Sequence, residues 1–269
     1  MTAQQDKAQR FRELHRREGA FLIPNPWDVG SARLLEGLGF EALATTSAGL
    51  AQTLGRLDGR VSLDEVLDHV GALCAATGVP VSVDFEHGFG ERPEDVAASL
   101  VRLAGTGAVG ASIEDFDGHA IYGRNEAADR VAAAARAVAA LDFPFTLTAR
   151  AENLLRGVDD LEDTIARLQA YRDAGADVVY APGLRNLDQV RAVCSALACP
   201  VNVLAPMVAG ATLADFAAAG ARRVSVGGAL ALLSLAPVVE AGREMLERGG
   251  FGWLDRVATG AEARRYFGA

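Results

Sequence analysis

The feature that most limits the fold of this chain is an eightfold alternation of short apolar segments with longer segments of helical spacing. The apolar segments are rich in β-branched residues and have the length of strands that are buried on both faces. Strands that alternate with helices pair in parallel, because each parallel connection needs a crossover. The predicted strands are residues 21–25, 42–46, 81–86, 111–115, 145–150, 178–181, 201–205 and 224–227.

The helical segments are punctuated by glycine. Several of them end in a glycine directly before the next strand, as at Gly39, Gly78, Gly175 and Gly220. Glycine at this point supplies the left-handed residue that ends a helix. In a chain of 269 residues, eight such units favour a (β/α)8 TIM-type barrel over an open sheet. The predicted helices are residues 62–77, 93–105, 126–141, 161–174, 186–197 and 213–218.

Composition does not divide the chain, since no Pro-rich or Ser-rich linker interrupts it. We therefore expect one α/β barrel domain over residues 1–269, with terminal helices at about 6–18 and 229–269. Residues 229–239 are apolar nearly all round, whereas a surface helix of a monomer has a polar face. The C-terminal helices are therefore expected to join subunits of a homo-oligomer.

Charge and hydropathy argue against two classes of partner. The chain has 26 Lys and Arg against 35 Asp and Glu, a net charge of −9, and it lacks the basic patch that nucleic acid requires. The longest uncharged stretch, 192–214, is broken by Pro200, Pro206 and Gly210, so we expect no transmembrane helix. Because residues 1–19 are polar where a signal peptide has an apolar core, we expect the cytoplasm as the location.

The predicted strand ends are unusually acidic. Polar residues at the carboxyl ends of barrel strands face the active site. Asp84 and Glu86 end the third strand on one face, Glu114 ends the fourth, and Asp58 follows the second. Crowded carboxylates raise one another's pKa unless a cation lies among them, and Mg²⁺ favours few direct carboxylates and several waters. The alternative is that each acid caps a helix or pairs with an arginine.

Two further strand ends offer anion-binding groups. Arg150 ends the fifth strand, where a guanidinium suits bidentate binding of a carboxylate or phosphoryl group. A salt bridge to Glu152 or Glu114 is the alternative. The turn at residues 45–49, Thr-Thr-Ser-Ala-Gly, can present backbone N–H groups to an anion, although such clusters are also ordinary turns.

These residues form an ordered set along the chain. The most specific are Asp84-x-Glu86-x-Gly88-x-Gly90 and Ser112-Ile113-Glu114-Asp115, accompanied by residues 25–28 (Asn-Pro-Trp-Asp), Thr46 to Gly49, Asp58 and Arg150. The set resembles that of the isocitrate lyase/phosphoenolpyruvate mutase superfamily, over nearly the whole chain. The resemblance implies a Mg²⁺-dependent barrel enzyme that acts on a small 2-oxo acid or related 2-hydroxy acid. A metal-stabilised enolate would serve C–C bond cleavage or formation, as in a lyase or an oxaloacetate-type decarboxylase.

The resemblance also implies a role for each residue. Asp84 would be the direct metal ligand, while Asp58, Glu86 and Glu114 would hold metal-bound waters. Arg150 would bind the substrate anion and act in catalysis. The remaining substrate-binding residues would be Trp27 and Asp28, which line the pocket, and Thr46, Ser47, Ala48 and Gly49, which receive the substrate carboxylate. Relatives form dimers or tetramers in which a terminal helix is exchanged.

One loop departs from the family pattern. Lyases of the superfamily carry a KKCGH-type motif after the fourth strand, but residues 115–124 here contain neither lysine nor cysteine. His119 and Tyr122 are the loop's candidates for proton transfer, with a solvated loop as the alternative. We therefore expect no cleavage of isocitrate or 2-methylisocitrate. The alternatives to a C–C lyase are a phosphonopyruvate-type C–P mutase or hydrolase, and a noncatalytic 2-oxo-acid binding protein.

Overall fold

Eight parallel strands form the centre of the protein in a computed structural model that describes residues 2–267. Their hydrogen-bonded order runs from β2 through β3 to β8 and on to β1, and each strand overlaps a predicted one. The (β/α)8 barrel is therefore confirmed. The strands are β1 (Phe21–Ile23), β2 (Leu43–Ala44), β3 (Val81–Asp84), β4 (Gly110–Glu114), β5 (Thr146–Arg150), β6 (Val178–Tyr180), β7 (Val201–Leu204) and β8 (Arg223–Ser225).

The barrel closes between β1 and β2 through a few hydrogen bonds rather than a full ladder. The N–H of Ala44 donates to the carbonyl oxygen of Pro24 at 3.0 Å. The side-chain amide of Asn25 donates to the carbonyl oxygen of Thr45 at 3.0 Å, and its Oδ1 accepts the N–H of Gly227 at 2.8 Å. Asn25 thus links the strand ends on both sides of β1.

Helices surround the strands in the expected alternation. Two of them, α2 and α3, lie in segments for which no helix bounds were predicted, and the side chains of Asp28 and Thr46 cap their first turns. The helices are α1 (Ala3–Arg16), α2 (Val29–Gly37), α3 (Ser47–Thr53), α4 (Leu63–Ala76), α5 (Pro93–Ala104), α6 (Arg124–Ala139), α7 (Leu161–Asp173), α8 (Leu187–Ala196), α9 (Leu213–Ala218), α10 (Ala229–Arg248) and α11 (Gly260–Phe267). Short 3-10 turns occupy Ala205–Met207 and Gly252–Arg256.

The predicted glycine caps are confirmed at three positions out of four. Gly39, Gly175 and Gly220 have φ angles of 97°, 106° and 97°, in the left-handed region that favours glycine. The prediction is wrong at Gly78, which lacks a positive φ. Helix α4 ends at an extended residue, Thr77, so the chain leaves it without a left-handed turn.

The C-terminal segment is helical, as predicted, but it is interrupted. Helix α10, the 3-10 turn at Gly252–Arg256 and α11 follow one another after the last strand. Large apolar side chains on α10 lie in solvent, among them Leu232, Leu233, Val238 and Leu246, the last of which is 90% exposed. Among residues 2–267, no helix combines the length and the apolar character needed to cross a membrane.

Candidate active site

The carboxyl ends of β3, β4 and β5 gather acidic side chains around one arginine. Arg150 directs its Nη1 to Asp84 Oδ1 at 3.1 Å, its Nη2 to Glu114 Oε2 at 3.3 Å and its Nε to Glu152 Oε1 at 2.6 Å. The structure therefore contains the alternative arrangement of Arg150, in which the guanidinium pairs with neighbouring acids. Binding of a substrate anion by Arg150 stays a prediction, and it requires the guanidinium to exchange one of these carboxylates.

The turn from β2 into α3 holds the other oxygen of Asp84. Asp84 Oδ2 accepts hydrogen bonds from the N–H and the hydroxyl of Ser47, each at 3.1 Å. The N–H of Gly49 is also engaged, because it donates to Thr46 Oγ1 at 3.3 Å. Residues of the Thr46–Gly49 turn therefore lie beside the acidic cluster, as predicted. Two of the N–H groups expected to receive a substrate carboxylate are, however, bonded to the chain's own oxygens.

Three acids of the cluster have raised pKa values. Burial, with the nearby charges of Asp84 and Asp58, raises the pKa of Glu86 to about 7. Burial raises the pKa of Asp58, with Asp84 adding to the effect and a hydrogen bond from Ser47 opposing it. Burial also raises the pKa of Glu114, against the opposing charge of Arg150. In each case the cause named first is burial, which disfavours the ionised form.

The donor set suits a hydrated divalent cation. The acids at this end of the barrel outnumber the two arginines that pair with them, Arg150 and Arg156, and an added cation would favour their ionised forms. Across residues 2–267, no three His, Cys, Asp or Glu side chains converge into a complete metal-ligand set. An ion bound here would therefore need waters to complete its coordination shell, as Mg²⁺ accepts.

Two adjoining cavities open onto the cluster. We call them the outer and the inner cavity, and both are lined by Ser47, Asp58 and Arg150. The outer cavity, of about 310 Å³, is also lined by Glu86, Glu114, Arg60, Arg156 and loop residues 116–119. The inner cavity, of about 150 Å³, reaches into the barrel and is lined by Thr46, Ala48, Asp84, Tyr180, Asn202, Arg223 and Ser225 among others. Of the predicted metal-site residues, Asp84 thus lines the inner cavity, Glu86 and Glu114 line the outer cavity, and Asp58 lines both.

The loop after β4 is a short closed turn. Asp117 Oδ1 accepts the N–H groups of His119 and Ala120, each at 2.7 Å, and Phe116 bridges to Ile121. His119 is exposed and lines the outer cavity. Within residues 2–267, His119 is therefore the one of the two proposed proton-transfer residues that borders the candidate site.

Three predicted site residues lie outside the lining of both cavities. The guanidinium of Arg130 packs on the ring of Tyr122 at 4.4 Å, and Tyr122 packs against the barrel's outer core. Asp28 is exposed and caps α2, where its Oδ1 accepts the N–H of Ser31 at 2.6 Å. Among the described residues, Trp27, Asp28 and Tyr122 do not line either cavity.

Comparison with known proteins identifies the family. Residues 11–246 match the family model described as phosphoenolpyruvate phosphomutase. The chain belongs to the phosphoenolpyruvate phosphomutase family. Among curated sequences, an uncharacterized protein of Mycobacterium tuberculosis is 34% identical over 220 residues, which is 81% of each chain. The 2-methylisocitrate lyase of Salmonella typhimurium is 31% identical over 194 residues, covering 68% of this chain and 64% of the lyase.

Solved structures of this family share the fold. A Burkholderia cenocepacia protein provisionally described as a lyase/mutase is 51% identical, with a TM-score of 0.96 over 99% of this chain and 97% of that one. Oxaloacetate acetylhydrolase in complex with its product oxalate is 27% identical, with a TM-score of 0.86 over 96% and 93%. The isocitrate lyase/phosphoenolpyruvate mutase superfamily to which the sequence was matched is thereby confirmed, and its members are lyases and mutases.

In this phosphomutase-family chain, Glu152 and Asp115 support the site, although the sequence had indicated Glu152 only as an alternative partner of Arg150 and had given Asp115 no role. Glu152 is fully buried between Arg150 and Arg156, whose Nη2 lies 3.1 Å from Glu152 Oε2. Asp115 Oδ1 accepts the N–H of Glu152 at 2.8 Å, and Asp115 Oδ2 accepts the hydroxyl of Tyr171 at 2.6 Å. Asp115 therefore fixes the backbone beside Arg150. Its place next to Glu114 in the Ser-Ile-Glu-Asp motif was the available signal.

Proposed function

We propose that this protein is a Mg²⁺-dependent enzyme that cleaves or forms a C–C bond next to the carbonyl group of a small 2-oxo acid. The observation that carries the proposal is the crowding of Asp58, Glu86 and Glu114 around Asp84, with raised pKa values on the first three. Such a cluster is expected to release protons when a cation binds. The similarity to oxaloacetate acetylhydrolase, whose name gives a 2-oxo acid as its substrate, supports a small 2-oxo acid as the substrate here.

The residues divide into those that would hold the metal and those that orient them. Asp84 would be the direct ligand, with Asp58, Glu86 and Glu114 around the ion's waters. Bound Mg²⁺ would act as a Lewis acid that stabilises negative charge on the substrate's oxygen. Arg150 keeps Asp84 and Glu114 in position, because its Nη1 and Nη2 contact one carboxylate each.

Proton transfer is assigned to the loop after β4. His119 borders the outer cavity and is exposed, so its imidazole can exchange protons with solvent and with a ligand in that cavity. The loop contains no thiol. Cleavage of isocitrate and 2-methylisocitrate is therefore not expected, although several relatives are named as 2-methylisocitrate lyases.

C–P bond chemistry on a phosphonopyruvate-like substrate is the second candidate. Arg60 and Arg156 line the outer cavity, and cationic groups are what a phosphoryl group requires. Arg156 is already paired with Glu152 and packs over the ring of Phe116 at 3.8 Å. C–C bond chemistry is favoured because Arg156 is thereby engaged by side chains of the protein itself.

Turnover assays with and without Mg²⁺ separate the candidates. The panel is oxaloacetate, phosphonopyruvate, 2-methylisocitrate and isocitrate, tested on the wild-type protein, on Asp84→Asn and on Asp188→Asn as an exposed control. Mg²⁺-dependent consumption of oxaloacetate that is lost in Asp84→Asn but not in Asp188→Asn would support the proposal. Conversion of phosphonopyruvate alone, to pyruvate and phosphate or to phosphoenolpyruvate, would favour the second candidate, and binding without turnover would indicate a noncatalytic protein.

We further propose that copies of the chain associate through α10. Leu232, Leu233 and Val238 lie within two turns of that helix, and each is more than 60% exposed. Several large apolar side chains exposed on one helix are typical of an interface. The proposal of a homo-oligomer is independent of the chemistry at the barrel mouth.

A further inference from the structure

Arg130 on α6 is a buried arginine that binds the backbone of a single loop. The residue is 3% exposed. Its Nη1 donates to the carbonyl oxygen of Glu91 at 2.8 Å, and its Nη2 donates to the carbonyl oxygens of His87 and Gly90 at 2.9 Å and 2.8 Å. All three acceptors belong to residues 85–92, which connect β3 to α5 and which we call the β3–α5 loop. One guanidinium thus fixes three carbonyl groups of this loop.

The guanidinium of Arg130 is itself supported by the segment that follows β4. It packs on the ring of Tyr122 at 4.4 Å. The backbone of Tyr122 is held on both sides, because its N–H donates to the carbonyl oxygen of Asp115 at 2.8 Å and its carbonyl oxygen accepts Nη1 of Arg167 at 2.9 Å. Arg130 therefore joins the β3–α5 loop to a fixed part of the neighbouring β4 segment.

The β3–α5 loop has a backbone conformation that needs such support. Glu86 and Phe89 have φ angles of 45° and 53°, and among residues 2–267 they are the two residues other than glycine with a positive φ. Side chains of L-residues disfavour this region, and a backbone persists in it only where its surroundings hold it there. Both strained residues lie within three positions of a carbonyl group that Arg130 binds.

Helix α5 supports the other side of the loop. The hydroxyl of Ser99 donates to the carbonyl oxygen of Phe89 at 3.3 Å. A Cβ atom at Gly90 would lie 2.5 Å from the backbone nitrogen of Val96, so the loop is packed closely on the first turns of α5. The loop is therefore held between α5 and the side chain of Arg130.

The loop carries groups that border the candidate active site. Glu86 and His87 line the outer cavity, and the carbonyl oxygen of Glu86 accepts the N–H of Glu114 at 2.8 Å. Among the described residues, Arg130 lines neither the outer nor the inner cavity. Any effect of Arg130 on the site must therefore pass through the loop, whose residue His87 is both a partner of Arg130 and the neighbour of Glu86.

We propose that Arg130 is a positioning residue for the metal site, because its hydrogen bonds hold the strained β3–α5 loop in the conformation that presents Glu86 to the outer cavity. This inference rests on the proposed function, in which Glu86 holds waters of the metal ion. Tyr122 contributes as the surface on which the guanidinium of Arg130 lies.

Calorimetry with Mg²⁺ alone tests the inference through the sign of the change in affinity. Arg130 is a cation, so its removal would by charge alone favour the binding of another cation. Loss of a group that orients a metal-site residue acts in the opposite direction, and typically lowers metal affinity by about 10-fold to 100-fold. We therefore expect Arg130→Met to bind Mg²⁺ at least about 10-fold more weakly than the wild type. Equal or tighter binding would overturn the inference.

Two further variants separate positioning from general destabilisation. Arg130→Lys should recover part of the affinity, because its ammonium group can still donate to carbonyl oxygens of the loop. Val190→Ala is the control, since Val190 is fully buried on α8, a helix that packs between α7 and α9. Val190→Ala should lower the unfolding temperature and leave Mg²⁺ affinity nearly unchanged. A loss of affinity as large as that of Arg130→Met would overturn the specific role of Arg130.

A double-mutant cycle tests whether Arg130 acts through Glu86. Glu86→Gln removes the carboxylate that Arg130 is proposed to position, so Arg130→Met should change Mg²⁺ affinity little in that background. An equal loss in both backgrounds would show that the effect of Arg130 does not pass through Glu86, and would overturn the inference.

Hydrogen exchange without Mg²⁺ gives a second readout. Amides of residues 86–91 should exchange faster in Arg130→Met than in the wild type, and at the wild-type rate in Val190→Ala. Unchanged exchange in Arg130→Met would overturn the inference alone. Absence of Mg²⁺ binding by the wild type would overturn the proposed function, and the role of Arg130 at the metal site with it.

Discussion

Replacing Arg150 by methionine should destabilise the protein strongly and in a pH-dependent way. The side chains of Asp84, Glu114 and Glu152 are 19%, 10% and 0% exposed, and each contacts a different nitrogen of Arg150. Methionine fills similar space but leaves these acids without their shared cation. Removing one partner of a buried ion pair costs about 3–5 kcal/mol, and we expect a loss in this range at pH 7.5 because Arg156 still contacts Glu152.

The pH dependence follows from protonation of the freed acids. Without Arg150, the pKa of Glu114, already raised by burial, rises further. A carboxyl group whose pKa is raised on folding favours the folded state below its unfolded pKa and loses that contribution as pH rises through the folded value. The deficit of Arg150→Met should therefore shrink on acidification, by about 1.4 kcal/mol per pH unit for each carboxylate that takes up a proton.

Urea unfolding followed by circular dichroism at pH 7.5, 8.5 and 9.5 measures this deficit, because the pKa of Glu114 in the wild type is already about 8 and the two proteins differ in its protonation above that value. Arg17→Met is the matched control, because Arg17 forms a 2.6 Å ion pair with Glu41 in solvent. Exposed pairs contribute about 0–1 kcal/mol, so the control should lose little at any of these pH values. A loss in Arg150→Met as small as that in the control, or one that is constant across pH, would refute the reasoning.

Three other predictions concern the proposed metal site, the buried His15 and the assembly. In calorimetry, Asp84→Asn should abolish Mg²⁺-dependent oxalate binding, because it removes the proposed direct ligand's charge, and unchanged binding would refute that role. His15 has a pKa lowered to about 3, so its contribution to stability is complete above its unfolded pKa of 6.5 and is lost as pH falls towards 3. At pH 5 the free energy of unfolding should be lower by about 2 kcal/mol for this reason. His15→Phe should remove this decrease from the pH profile of unfolding, and an unaltered profile would contradict the role of His15. In sedimentation experiments the wild type should be oligomeric and Leu232→Glu should dissociate it, whereas a wild-type monomer at micromolar concentration would exclude the interface.

The fold and the position of the acidic cluster were predictable from the sequence. Eight apolar segments separated by helical ones leave few arrangements other than a parallel barrel, because every parallel connection needs a crossover. Once the barrel is accepted, residues at the strand ends must share one rim, which brings Asp84, Glu114 and Arg150 together without any knowledge of contacts. The family assignment rested on this same order of residues, and the comparisons confirm it.

Which side chains contact one another was decided only by the tertiary structure. A period of two along a strand tells whether a residue faces inward, but the partners that meet across a barrel depend on strand stagger and on rotamers. The sequence left Arg150 free either to bind an anion or to pair with acids, and the structure pairs it with three. Asp28 was predicted in the pocket, yet a backbone N–H at the start of α2 takes its carboxylate. Arg223 and Thr148 are 75 residues apart, and only closure of the barrel brings them into contact.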